Sequence, residues 1–146
     1  MMKALVVYDS AFGNTERIAR AIGRGIEGDV TVRRATEVSA SDMEGIDLLV
    51  VGSPTQAGRP TRPVQNLVKG VSGTVRVAAF DTRMSGKFAR IFGYAADRLA
   101  KSLQRKSGTL VAPPEAFYVV DREGPLKDGE MERAVEWGRT LRSSVG

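Results

Sequence analysis

The sequence predicts an α/β fold: a three-layer αβα sandwich around a five-stranded parallel sheet of order 2-1-3-4-5. Three observations predict it. The runs Ala4-Leu5-Val6-Val7 and Leu48-Leu49-Val50-Val51 are apolar without interruption, as strands covered on both faces must be. Stretches with apolar residues three and four apart alternate with these runs, the mark of helices crossing over a parallel sheet. The run Val30-Thr31-Val32-Arg33 instead alternates apolar and polar residues, so it belongs at an edge, outside the first strand.

The elements follow in order. After the first strand, Ile18, Ala19, Ile22 and Ile26 form the buried face of a helix. Gly28-Asp29 turns into the edge strand, and Ser41–Glu44 has room for one helical turn. The third strand, Asp47–Val51, ends in Gly52-Ser53-Pro54-Thr55-Gln56-Ala57-Gly58-Arg59-Pro60, a loop dense in helix and strand breakers. Thr61 is placed to cap a short helix carrying Pro63 in its first turn, with Val64, Leu67 and Val68 inward. Val75–Phe80 is the fourth strand and Asp81-Thr82-Arg83-Met84-Ser85-Gly86 the loop after it. The longest helix is expected over about 87–106, with Phe88, Phe92, Ala95, Leu99 and Leu103 as its buried stripe. A strand region at Thr109–Val111 and Phe117–Val120 is interrupted by Pro113-Pro114. Asp128 is the expected cap of the closing helix, on which Met131, Ala134, Val135, Gly138 and Leu141 share a face and Trp137 falls to the flank.

With 146 residues and no internal repeat, the expectation is a single domain spanning 1–146. The N-terminus leads straight into a strand and no run has the length of a membrane span, which points to a cytoplasmic protein without a transmembrane segment. The chain has no Cys and no His. That excludes a Ser-His-Asp triad, a thiolate nucleophile, a disulfide and the usual zinc ligands. Chemistry in such a chain falls more naturally to a cofactor. The net charge is +5, and a basic balance suits nucleic acid, an anionic surface or an acidic protein, though it also suits a merely solvated surface.

In an open parallel sheet of this order, ligands bind at the carboxyl ends of the strands, where the first and third strands diverge. The loops beginning at Asp9, Ser53 and Asp81 wall that crevice. The first, Asp9-Ser10-Ala11-Phe12-Gly13-Asn14-Thr15, joins a strand to a helix N-terminus, where free amides and the helix dipole favour an anion. Ser10, Asn14 and Thr15 add neutral donors, and Gly13 allows close approach. No Lys or Arg lies between Tyr8 and Glu16, so a phosphate there would rest on dipoles and hydrogen bonds. A polar turn that binds nothing has the same composition. A phosphoacceptor Asp after the third strand and GxxxxGK[ST] are both absent.

The stretch Tyr8–Glu16, with a hydroxyl residue followed by Gly-Asn-Thr at the mouth of the first helix, resembles the phosphate-binding signature of the flavodoxin family. Gly52-Ser53-Pro54-Thr55 is similar to the start of that family's first flavin loop, and the short connection Val111–Phe117 to its short-chain type. Flavodoxin is itself the type example of the 2-1-3-4-5 order with its ligand at the switch point. The resemblance implies FMN. It would put the phosphate at Ser10, Ala11, Phe12, Gly13, Asn14 and Thr15. The isoalloxazine would lie between Pro54, Thr55, Gln56 and Ala57 on one side and Asp81, Thr82 and Arg83 on the other. The Ala57-Gly58 peptide is placed to turn a carbonyl toward the flavin. Both ring loops lack the aromatics the family commonly stacks there, and the chain is basic where electron-carrier flavodoxins are acidic. Phe88 either supplies a stacking ring or continues the core stripe.

Three functions follow from these residues. The first is an FMN-binding electron-transfer protein with a redox protein partner of acidic surface and no nucleic-acid ligand. The second keeps the flavin in a quinone or small-molecule oxidoreductase resembling quinone-dependent protoporphyrinogen oxidases. The third is a flavin-free interaction module that meets an acidic partner through its basic helix. Arg59, Arg62, Arg83, Lys87 and Arg90 around the ring site lead to an expected raised potential for the more negative flavin couple.

Overall fold

A computed structural model describes residues 2–85, 94–106 and 108–145. The strands are β1 (Lys3–Tyr8), β2 (Asp29–Arg34), β3 (Leu48–Pro54), β4 (Arg76–Met84), β5 (Thr109–Leu110) and β6 (Glu115–Val119). The helices are α1 (Asn14–Ile26), α2 (Ala40–Met43), α3 (Arg62–Lys69), α4 (Ala95–Arg105) and α5 (Glu130–Val145). All pairings in the sheet are parallel, in the order β2-β1-β3-β4-β5, with β6 also on β4. The fifth position is therefore filled twice: β5 pairs with Arg76 and Val77, β6 with Phe80–Met84. Pro113-Pro114 sits in the gap, where a missing amide harms no ladder.

The apolar runs are explained by the period of two along a strand. Ala4, Val6 and Tyr8 pack with Leu48, Val50, Ala78 and Phe80 under α1 and α5. Leu5, Val7, Leu49, Val51, Val77 and Ala79 pack under α3 and α4. Each helix layer thus covers one face of the same strands. β2 is half-buried, as an edge strand should be.

Several expectations change. Gly52–Pro54 and Asp81–Met84 lie in strands rather than loops, because β3 and β4 stay paired as far as Pro54 and Thr82, and β6 extends β4 to Met84. Of the helix expected over about 87–106, the part up to 93 lies outside the described residues; the described part is α4, which starts at Ala95 after Tyr94 in an extended conformation (φ −137°, ψ 149°). Phe88, Phe92, Lys87 and Arg90 lie outside the described residues. Asp128 is not adjacent to α5, which begins after Gly129 at φ +86°. Thr61 occupies the N-cap of α3 without capping it, and its hydroxyl is buried with no partner among the described residues. Trp137 is not on the flank: it is 8% exposed and meets Phe80 and Phe117 edge-on, with centroids 6.2 and 5.9 Å away. An indole that large caps the end of the core between sheet and helix.

α1 and α5 touch through glycines. A Cβ on Gly138 would stand 2.3 Å from the Ile22 carbonyl oxygen, and one on Gly25 would stand 2.0 Å from that of Val135. No rotamer relieves a clash with backbone, so the helices must part. Gly138→Ala is expected to cost about 1–2 kcal/mol net in urea unfolding, overpacking of about 1–3 outweighing the helix propensity gained. A variant as stable as the parent would contradict this packing. Among the described residues no helix is long and apolar enough to cross a membrane.

Candidate functional site

The turn from β1 into α1 is set by Gly13, whose φ of +92° at the N-cap is the left-handed conformation glycine tolerates best. Its amide donates to Ser10 Oγ at 2.9 Å. The amides of Ala11, Phe12, Asn14 and Thr15 make no hydrogen bond among the described residues, so the loop ends in a group of free donors. Asn14 Nδ2 donates to the Glu123 carbonyl at 3.3 Å, tying this turn to the loop after β6. Thr15 is 2% exposed, and its hydroxyl meets that of Thr82 at 2.7 Å.

Arg34, at the end of β2, braces the same turn from outside. Its guanidinium donates to the Ser10 carbonyl at 3.1 Å and to Asp9 at 3.4 Å, lies 3.7 Å from Glu16, and sits over the Tyr8 ring. The first loop lacks a cation in sequence but has one behind it in space.

The second wall comes from β3. Gln56 and Arg59 exchange N–H···O bonds of 2.9 Å, with Ala57 at φ +50° and Gly58 at +78°. Two successive positive φ values with these bonds make a primed hairpin turn. Both residues flanking the Ala57-Gly58 peptide are thus left-handed. The Thr55 amide donates to the Thr82 carbonyl at 3.0 Å, so this wall is fastened to the third.

In the third wall the Asp81 carboxylate is fully buried and lies behind the surface. It takes two bonds from Arg83, at 2.8 and 2.7 Å, and one from the Ala96 amide at 2.9 Å. Thr55 Oγ1 accepts from the Ala95 amide at 3.1 Å. Asp81 and Thr55 together therefore satisfy the start of α4. Burial works against the Arg83 charge, but the hydrogen bonds and charge of Asp81 outweigh it, and the guanidinium is held more firmly protonated than usual. Its carbon lies 3.3 Å from the centroid of the Tyr94 ring.

Between the walls is a crevice of about 470 Å³. Ser10, Ala11, Phe12, Asn14 and Thr15 line one end. Pro54, Thr55, Gln56 and Ala57 form one side, and Thr82 and Arg83 the other. Of the expected residues, Gly13 and Asp81 do not line it: one shapes the turn, the other anchors Arg83. Met84, Val119 and Arg122 line it without having been expected. Met84 sits in a stretch read as loop, while Val119 and Arg122 reach the crevice only because β6 runs beside the end of β4. Phe12 and Met84 are half-exposed at the rim. Arg122 makes no ion pair among the described residues, which gives the crevice a cation that the first loop lacks.

The crevice pairs free amides and hydroxyls with an apolar slot of Phe12, Pro54, Ala57, Met84 and Val119. That donor set suits the phosphate and planar ring of FMN. A doubly wound α/β domain with free donors gathered at the switch point has the architecture of nucleotide-binding proteins. The profile described as Flavodoxin matches residues 6–137. The chain belongs to the flavodoxin family, whose members bind FMN and transfer electrons. A flavodoxin of Aquifex aeolicus is 39% identical over 62 residues, which are 40% of this chain and 34% of that protein. The chain thus matches about a third of that relative's length. A flavodoxin structure from the domain Archaea has a TM-score of 0.81 at 26% identity, covering 99% of both chains. Oxidised Flavodoxin 1 of Bacillus cereus has a TM-score of 0.80 at 21% identity, again over 99% of each, a likeness of fold.

Proposed function

We infer that this chain is a short-chain FMN protein of the cytoplasm that carries electrons to or from a redox protein with an acidic surface. The observation that carries the reading is the cluster of unbonded amides around Gly13, open to the same crevice as the two ring-bordering walls. Ser10, Ala11, Phe12, Asn14 and Thr15 would hold the phosphate, with Gly13 fixing the turn. Pro54, Thr55, Gln56 and Ala57 would border one face of the ring, and Thr82, Arg83 and Met84 the other. Bound there, FMN supplies the reversible uptake of electrons. The chain's part is to orient the ring, exclude water from it and set the charge around it.

The test is a spectrum of the purified protein with added FMN. Flavin bands that stay with the protein through gel filtration are expected, and none at micromolar protein would overturn the reading. Steady-state turnover of a quinone, absent for a carrier, separates it from an oxidoreductase.

The charge around the ring is weaker than the sequence implies. Arg83 is neutralised by Asp81, and Arg59 and Arg62 are exposed to water. Exposed charges act through a high dielectric and are screened by salt. Arg59→Gln with Arg62→Gln should therefore lower the more negative flavin couple by only about 20 mV, roughly 0.5 kcal/mol at one electron, and only at low salt. A salt-insensitive drop above ~60 mV would show that these side chains reach the ring.

A further inference from the structure

The charge of this chain is divided. Between Thr55 and Lys106 the sequence holds eleven Lys and Arg against two acidic residues, Asp81 and Asp97. The rest of the chain holds eleven against fifteen, so the two parts carry +9 and −4. With no His, neither value moves near neutral pH.

The division follows the helix layers. On the α1 and α5 side most cations are paired, Arg20 with Glu16, Arg133 with Glu130 and Glu115, Arg139 with Glu136 and Arg142 with Glu27, while Arg17 and Arg24 make no ion pair among the described residues. On the α3 and α4 side, Arg62, Lys69, Lys101 and Arg105 are exposed and make no ion pair among the described residues. Arg98, Lys101 and Arg105 recur at three and four along α4 and so share one face. With Tyr94, Asp97 and Ser102 they line a groove of about 640 Å³.

This groove adjoins the crevice. Arg83 lines the crevice and Tyr94 the groove, and the two side chains are stacked at 3.3 Å. The Ala95 amide is bonded to Thr55, itself part of the crevice wall. A molecule seated along α4 stands one stacked pair away from the crevice.

We propose that the α4 groove, continued by Arg62 and Lys69 of α3, is the surface on which an acidic redox protein docks, which brings its redox centre beside the crevice. The inference rests on the electron-carrier reading. Complementary charge speeds encounter and fixes orientation, which is what a transient electron-transfer complex needs. An anionic membrane fits less well, since the large exposed apolar residues among those described, Phe12, Met84 and Val120, are on neither helix. A nucleic acid fits less well because Tyr94 is already stacked on Arg83 and the remainder of the chain is acidic.

The test titrates an acidic [2Fe–2S] ferredoxin, as a generic acidic redox probe, into 15N-labelled protein with and without FMN. Lys101→Glu with Arg105→Glu is compared with Arg24→Glu plus Arg142→Glu, an equal charge change on α1 and α5. The expected result is amide shifts along α3 and α4, at least tenfold weaker binding in the first variant, less than twofold in the second, and a flatter salt dependence in the first. Equal losses in both, shifts on α1 and α5, no saturable shifts, or tighter binding of a single-stranded oligonucleotide through the same residues would overturn it. Failure of the carrier reading looks different: the protein takes up no FMN, while the flavin-free form still binds the probe along α4.

Discussion

Arg83→Met is expected to destabilise the protein by about 3–5 kcal/mol, the cost of removing one partner from a buried ion pair. The Asp81 carboxylate is fully buried, and without Arg83 it keeps only the Ala96 amide among the described residues. Its other lone pairs then face protein instead of water. Most of the penalty is the uncompensated charge, so Asp81→Asn in the same chain should recover much of it. The double variant should therefore be more stable than Arg83→Met alone, a coupling that a purely steric account does not give. Urea unfolding checks this through a lower midpoint at unchanged slope. A loss under ~1 kcal/mol would mean that the pair is a surface ion pair in solution. The loss reaches function as well, because Asp81 and Thr55 hold the start of α4 against the crevice.

Much of this was legible in sequence. The uninterrupted runs at Ala4–Val7 and Leu48–Val51 demand strands covered on both faces, and the alternating run after Gly28 demands an edge. Those constraints fix the sheet order, and the order fixes where three loops meet. Less legible was where strands end. Gly52-Ser53-Pro54 and Asp81-Thr82-Arg83 read as loops because glycine, proline and charge dominate them. They are strands because their polar groups find partners across the fold: Ser53 with the Thr61 amide, Asp81 with Arg83 and Ala96, Thr82 with Thr15. Local composition does not contain those partners.

The same reason hid part of the site. Arg34 lies 24 residues from the carbonyl it braces and Asn14 109 from the one it bonds. Arg122 becomes a crevice residue only once β6 is placed beside β4. Trp137 misled in the opposite way. On a helical wheel it stands beside the apolar stripe, yet Phe80 and Phe117 leave a space at the end of the sheet that its ring fills.

Thr15→Ala is expected to weaken FMN binding by roughly 10- to 100-fold while leaving riboflavin within about threefold, because a hydrogen bond to a charged group contributes about 1.5–3 kcal/mol. The two hydroxyls of Thr15 and Thr82 meet at 2.7 Å, so one hydrogen lies between them and the other is free to turn toward the crevice that both line. Thr15 stands in the first turn of α1, beside amides with no other acceptor among the described residues. Alanine removes the hydroxyl and leaves that of Thr82 without its neighbour. This second effect alters the empty protein, so it falls on both ligands and cancels from their ratio. Thr15→Ser keeps the donor and should restore most of the FMN preference. Fluorescence titrations with the two flavins read that ratio directly. Parallel losses for FMN and riboflavin would move the phosphate away from the start of α1. A loss confined to FMN, recovered by serine, would assign it to these donors.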